Sequence, residues 1–243
     1  MNAGGSGLTL LIVSDLHNAI SRVNELCDYV IRRRPVDVVL VCGDFVQPAE
    51  RSSPEKIAAA EGDMTALISR LEMIVCRVIY VPGPNDPCIA KRSQGLPKLT
   101  PYSINCDDTQ IVLLPDDDHD ISYRQSQESI GSSELIVEGF GNAPYGRLAM
   151  QIRTKYTVDD HLCNVYRKFA RLPWCCRIMP GVSKCGSIEQ VENGQVVLLP
   201  GRLVDGYFAI VEIGPRSLHE YDEEEAWDVK ECKIYNLDAE IQG

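Results

Sequence analysis

Positive charge is in short supply in this chain. It has 24 Lys and Arg against 35 Asp and Glu, which leaves a formal net charge of −11 and a pI of about 4.9. Phosphate backbones are held mainly by Lys and Arg, so general nucleic-acid binding is excluded. Arg32, Arg33 and Arg34 form a basic triplet, which reads as the solvated end of a helix. Paired cysteine spacing is also missing. The ten cysteines include no CxxC pair, which argues against a four-ligand zinc site, and several lie in apolar runs where free thiols pack as small hydrophobes. No apolar run approaches the ~20 residues needed to span a bilayer. Residues 1–7, MNAGGSG, read as a flexible leader with neither the charged nor the apolar region of a signal peptide. A reduced, soluble, cytoplasmic protein without a membrane span is the expectation.

What the chain does have is enough apolar material for a core: 44% of 243 residues, which suits one domain over residues 8–243. LTLLIVS (8–14) is a short run of the kind buried on both faces of a sheet. A helical pattern follows through AISRVNELCDYVIRRR, with Val23, Leu26 and Val30 at i, i+3, i+4 spacing, and Pro35 ends it. VDVVLVC predicts a second buried strand. A second helix is expected from about Ser53 to Met73, opened by Ser53-Pro54, and CRVIYV predicts a third strand. Alternating strands and helices of this kind predict a largely parallel sheet.

The second half has a different pattern. Strand-like pieces at 109–114, 134–140, 195–199 and 207–213, with Asn193-Gly194 and Asp205-Gly206 as hairpin turns, predict an antiparallel or mixed sheet. The polar stretch 116–133 reads as a mobile loop, and TVDDHLCNVYRKF as a helix carrying His161.

Ligands collect beyond the carboxyl ends of parallel strands. There the chain places Ser14-Asp15-Leu16-His17, Cys42-Gly43-Asp44 and Gly83-Pro84-Asn85-Asp86. Side chains alternate along an extended or turning segment, so Asp15 and His17 point the same way. With Asp44 from the next strand they make a plausible divalent-metal site.

This order of motifs resembles the calcineurin-like metallophosphoesterases, whose pattern is D-x-H, GD, GNHD, an isolated His and GHxH. LTPYSIN, IVEGFGNAP and VVLLPGRLVDGYFAIVEI resemble scaffold segments of the same family. The resemblance implies an α/β fold, a metallophosphoesterase-like four-layered β-sandwich: two mixed β-sheets packed face to face, flanked by helices, with a two-metal site at their edge. It also implies the metal-ligand roles of Asp15, His17 and Asp44.

The remaining motifs depart from the family. Pro84 falls at the Asn ligand position, Asn85 at the catalytic His position, and Val182 and Lys184 at the two histidines of GHxH. The chain has four histidines, of which His17 alone falls in a matching motif; His119, His161 and His219 read as surface residues. The stretch 142–180 reads as too short for the family's strand ending in an isolated His. Lys184 suggests a replacement cation, its ammonium set beside Asp15 and Asp44.

The expectation is therefore a pseudoenzyme: one divalent ion (Mg, Mn, Fe or Zn) held weakly or none, and a binding or scaffold role toward a protein partner. The alternative is a metal-dependent phosphoesterase with a reduced metal site, acting on a phosphomonoester, cyclic nucleotide or phosphodiester. Metal ions supply positive charge and an activated water in such reactions.

Overall fold

The computed structural model describes residues 7–47, 53–75, 77–87, 99–107, 110–114, 122–125, 135–139, 150–154, 174–179, 184–190, 195–215 and 227–242. The first half follows the expected alternation: β1 (Leu8–Val13), α1 (Ile20–Arg33), β2 (Val38–Cys42), α2 (Pro54–Leu71) and β3 (Val78–Val81). β4 (Ser103–Asn105) comes next, and β1 to β4 are parallel neighbours. Two later strands, β12 (Tyr207–Pro215) and β13 (Trp227–Asn236), add antiparallel beside β1 and complete a six-stranded sheet in the order β13-β12-β1-β2-β3-β4.

A second, seven-stranded sheet has the order β10-β11-β9-β8-β7-β5-β6. Its strands are β5 (Gln110–Leu114), β6 (Ser122–Gln125), β7 (Leu135–Gly139), β8 (Met150–Thr154), β9 (Trp174–Ile178), β10 (Ser187–Gln190) and β11 (Val196–Leu199). It is mixed, since β9 runs parallel to β11 and the other pairings are antiparallel.

Period-two alternation assigns each strand residue to one of two cores. From the first sheet Leu10, Ile12, Leu40, Cys42, Ile79 and Val81 pack with Ile111, Leu113, Val137 and Ile152 of the second. Their neighbours Leu11, Val13, Val39, Val41 and Tyr80 turn to the opposite face, against Val23, Leu26 and Val30 of α1 and Met64, Leu67 and Ile68 of α2. A strand buried on both faces must be apolar at every position, which is why LTLLIV and VVLVC show no alternation in sequence. Truncating one of these leucines to Ala would cost about 2–5 kcal/mol.

The helix boundaries have ordinary causes. Ser53 caps α2, its hydroxyl accepting from the Lys56 backbone N–H at 3.4 Å, with Pro54 in the first turn. At the end of α1 the basic triplet is partly engaged. The Arg33 guanidinium lies 5.7 Å from the Tyr29 ring centre and that of Arg34 4.8 Å from the Tyr235 ring centre; Arg32 and Arg33 are exposed, as expected, and Arg34 is half-buried.

Two expectations change. Asp205-Gly206 is not a hairpin: β11 and β12 belong to different sheets, and a 3-10 turn, Leu203–Asp205, ends in Gly206 at φ 86. The same dipeptide suits a left-handed cap as well as a hairpin turn. Within 116–133, residues 122–125 form β6 rather than loop. Asn193-Gly194 and the helix expected around His161 lie outside the described residues, although the strands β10 and β11 that Asn193-Gly194 would join do pair antiparallel. No described helix is long and apolar enough to cross a membrane. Cys27, Cys42 and Cys232 are free thiols.

Candidate metal centre

Beyond the carboxyl ends of β1 and β2 the two segments stay zipped together. Asp15 N–H donates to Gly43 O (3.2 Å), His17 N–H to Asp44 O (3.1 Å) and Asn18 N–H to Phe45 O (2.9 Å). The zipper holds the backbone in an unusual state. Asp15 (φ 52), His17 (φ 46), Asn18 (φ 61) and Asp44 (φ 53) are the positive-φ non-glycine residues of the described chain. Each such residue costs on the order of 1–3 kcal/mol and persists only where its surroundings over-determine it. Such strain clusters at functional sites.

Its effect is to turn three side chains toward one point. Asp15, His17 and Asp44 each offer a ligand atom, and these atoms lie within 4.8 Å of one another. His17 Nε2 is 3.7 Å from Asp15 Oδ1. The buried His17 Nδ1 has no hydrogen-bond partner among the described residues. Two carboxylates and an imidazole are a donor set suited to Mn, Fe or Zn, and less well to Mg, which prefers oxygen ligands in near-ideal octahedral geometry. The residues present therefore fit a divalent ion.

Two glycines let the β3 loop come in close. A Cβ on Gly43 (φ 74) would lie 2.9 Å from Gly83 Cα, and one on Gly83 would lie 2.3 Å from both Asp44 N and Asp44 Oδ1. The Asn85 backbone N–H then donates to Asp44 Oδ1 at 3.3 Å. Asp86, fully buried, ties the loop down. Its Oδ2 accepts from Gly83 N–H (2.7 Å) and its Oδ1 from Val46 N–H (3.2 Å). Burial pushes the Asp86 carboxyl up to about 6, with the nearby Asp44 charge adding to the shift and the backbone N–H bonds opposing it.

From the far side, the segment after β11 braces the loop after β1. Ser14 Oγ–H donates to Gly201 O (2.8 Å), Leu203 N–H to Ser14 O (2.9 Å) and Val204 N–H to Asp15 O (3.3 Å). Lys184 reaches this segment only through its carbonyl, which accepts from Arg202 N–H at 3.3 Å. Its side chain is exposed and makes no ion pair with Asp15 or Asp44 among the described residues. The expectation of a replacement ammonium beside the two carboxylates is corrected on that point: an exposed ammonium stays hydrated rather than meeting the desolvation cost of the site.

Of the remaining expected positions, Pro84 is exposed and Asn85 half-buried beside Asp44; a proline side chain has no donor atom, and a carboxamide is not an acid. Val182, His119, His161 and His219 lie outside the described residues. Sequence reasoning passed over Asn18, Ser14 and the bracing role of Asp86. Asn18 directly follows the D-x-H motif, and a polar residue at that point was the available signal.

Comparison with known proteins agrees with this geometry. Residues 8–161 match the calcineurin-like phosphoesterase family. No curated protein matches the chain in sequence. Among solved structures, the protein TT1561 of Thermus thermophilus is similar over 96% of this chain and 100% of its own, with 14% identity and a TM-score of 0.55. A metallophosphoesterase from Sphaerobacter thermophilus covers 93% of this chain and 89% of its own at 12% identity and a TM-score of 0.34, a likeness too low to carry weight. At these identities the first likeness speaks for the fold alone. The family match spans more than half of the chain and includes the strands whose ends carry Asp15, His17 and Asp44, so this protein belongs to the calcineurin-like phosphoesterase family.

Proposed function

We propose that this protein holds one divalent cation through Asp15, His17 and Asp44 and acts as a binding or scaffold protein on the phosphoesterase fold, with little or no hydrolysis. One observation carries the cation: three donor atoms within 4.8 Å, each on a residue kept in the left-handed region. A bound ion would supply positive charge and Lewis acidity at that point. The chain's own residues supply the cage and its orientation.

The case against hydrolysis is chemical. Ester cleavage needs an acid for the leaving oxygen and enough fixed positive charge on the phosphoryl group. Asn85 has no proton to give at neutral pH, Pro84 has no donor atom, and the Lys184 ammonium is not held in the cage. A protein partner fits this reading better than a small substrate. The free thiols of Cys27, Cys42 and Cys232 suit a reducing compartment such as the cytoplasm.

A second reading is one-metal hydrolysis of a phosphomonoester, cyclic nucleotide or phosphodiester. It is favoured by the intact strained loops and by the Asn85 backbone poised on Asp44. The two separate in an assay of bis(p-nitrophenyl) phosphate and p-nitrophenyl phosphate with added Mn²⁺. We expect no turnover above the Asp44→Ala background. Turnover of about 1 s⁻¹ or faster that is lost in Asp44→Ala would establish the enzyme instead.

A further inference from the structure

We infer that Asn18 is a positioning residue that couples helix α2 to the cation cage, an inference that rests on the metal-binding reading above. Asn18 uses every polar group it has. Its N–H donates to Phe45 O (2.9 Å), its C=O accepts from Ile20 N–H (2.8 Å), its Oδ1 accepts from Gln47 N–H (2.8 Å) and its Nδ2 donates to Asp63 Oδ2 (2.6 Å). A backbone N–H on one side of the amide and a carboxylate on the other fix which atom is oxygen and which nitrogen.

The partners belong to three separate pieces of chain. Phe45 and Gln47 continue from Asp44, Ile20 opens α1, and Asp63 lies on α2. Asn18 itself is joined to His17 and shares its left-handed backbone, at φ 61. Asparagine is, after glycine, the residue that tolerates this region best. The side chain therefore clamps the segment after Asp44 against the segment after His17, while Asp63 holds the clamp from outside. Two cage ligands, His17 and Asp44, are the immediate chain neighbours of what is clamped. Groups that orient ligands in this way commonly set metal affinity.

The clamp is exposed, so each bond competes with water and its share is moderate. That also makes it testable without dismantling the core. In Asn18→Gly the left-handed turn is kept and only the amide is lost. Asp63→Ala removes the outer partner from an exposed helix position, and Asp63→Asn keeps an oxygen that can accept from Asn18 Nδ2 while removing the charge.

The experiment is Mn²⁺ titration of the full chain by calorimetry, with thermal unfolding in parallel. Asn18→Gly should weaken Mn²⁺ about tenfold and Asp63→Ala about threefold, with Asp63→Asn within about twofold of wild type. Asn18→Gly/Asp63→Ala should be no weaker than Asn18→Gly alone, the non-additivity of one shared clamp. If Asn18→Gly and Asp63→Ala lose thermal stability but bind Mn²⁺ as wild type does, Asn18 is merely structural and the inference fails by itself. Strictly additive losses in the double variant would overturn the coupling to α2. Absence of Mn²⁺ uptake by wild type would overturn the metal-binding reading and this inference together.

Discussion

Two halves of one site meet at the sheet edge and use their residues differently. On one side, the loops after β1 and β2 hold Asp15, His17 and Asp44 on strained backbone, zipped by three cross-loop hydrogen bonds. On the other, the β3 loop is set by shape: Gly83 packs on Asp44 and Asp86 anchors the turn, while Pro84 and Asn85 occupy its tip. Close approach and buried hydrogen bonds maintain loop geometry whatever the tip residues are. Ligand chemistry depends on the tip residues, so the shape of such a loop and its chemistry can vary separately.

The sharpest break of this contrast is Asp44→Ala. It removes one of three cage donors and should weaken Mn²⁺ binding about a hundredfold or more by calorimetry, while the fold, read by circular dichroism, survives. Gly83→Ala attacks the β3 side through shape alone. Its methyl would lie 2.3 Å from Asp44 N, so the loop must move, at a cost of about 3 kcal/mol in denaturant unfolding.

Asp86 gives a pH signature. With the carboxyl held near 6 in the folded chain, against about 3.8 ordinarily, the folded state binds the proton more tightly. In metal-free buffer its contribution is therefore fully present below about pH 4, declines as pH rises to about 6, and amounts to up to about 3 kcal/mol. Asp86→Asn should flatten that slope in urea titrations across this window, and should cost about 1–3 kcal/mol in stability because the amide cannot accept both backbone N–H groups. The smallest effect is expected at Lys184. Being exposed and unpaired with either cage carboxylate, Lys184→Ala should leave stability within about 0.5 kcal/mol and Mn²⁺ affinity within about twofold.

How much of this could be read in the chain follows from where the causes lie. β1, β2 and β3 are legible because strands buried on both faces are continuous apolar runs, and the helices because Val23, Leu26 and Val30 repeat at helical spacing. β10 was missed because SIEQ is exposed throughout and carries no apolar pattern. The D-x-H and GD ligands follow from strand-end position. The link from Asn18 to Asp63 does not, because it joins residues 45 apart that only the packing of α2 brings together. Lys184 shows the reverse error. Alignment to a ligand position says nothing about where a long side chain points, and solvation decided it.

The measurement that tests the central claim most directly is the stoichiometry of metal on the purified chain, by calorimetric titration with Mn²⁺ checked by elemental analysis. One ion per chain is expected, lost in Asp44→Ala. Two tightly held ions, or none at all, would contradict it.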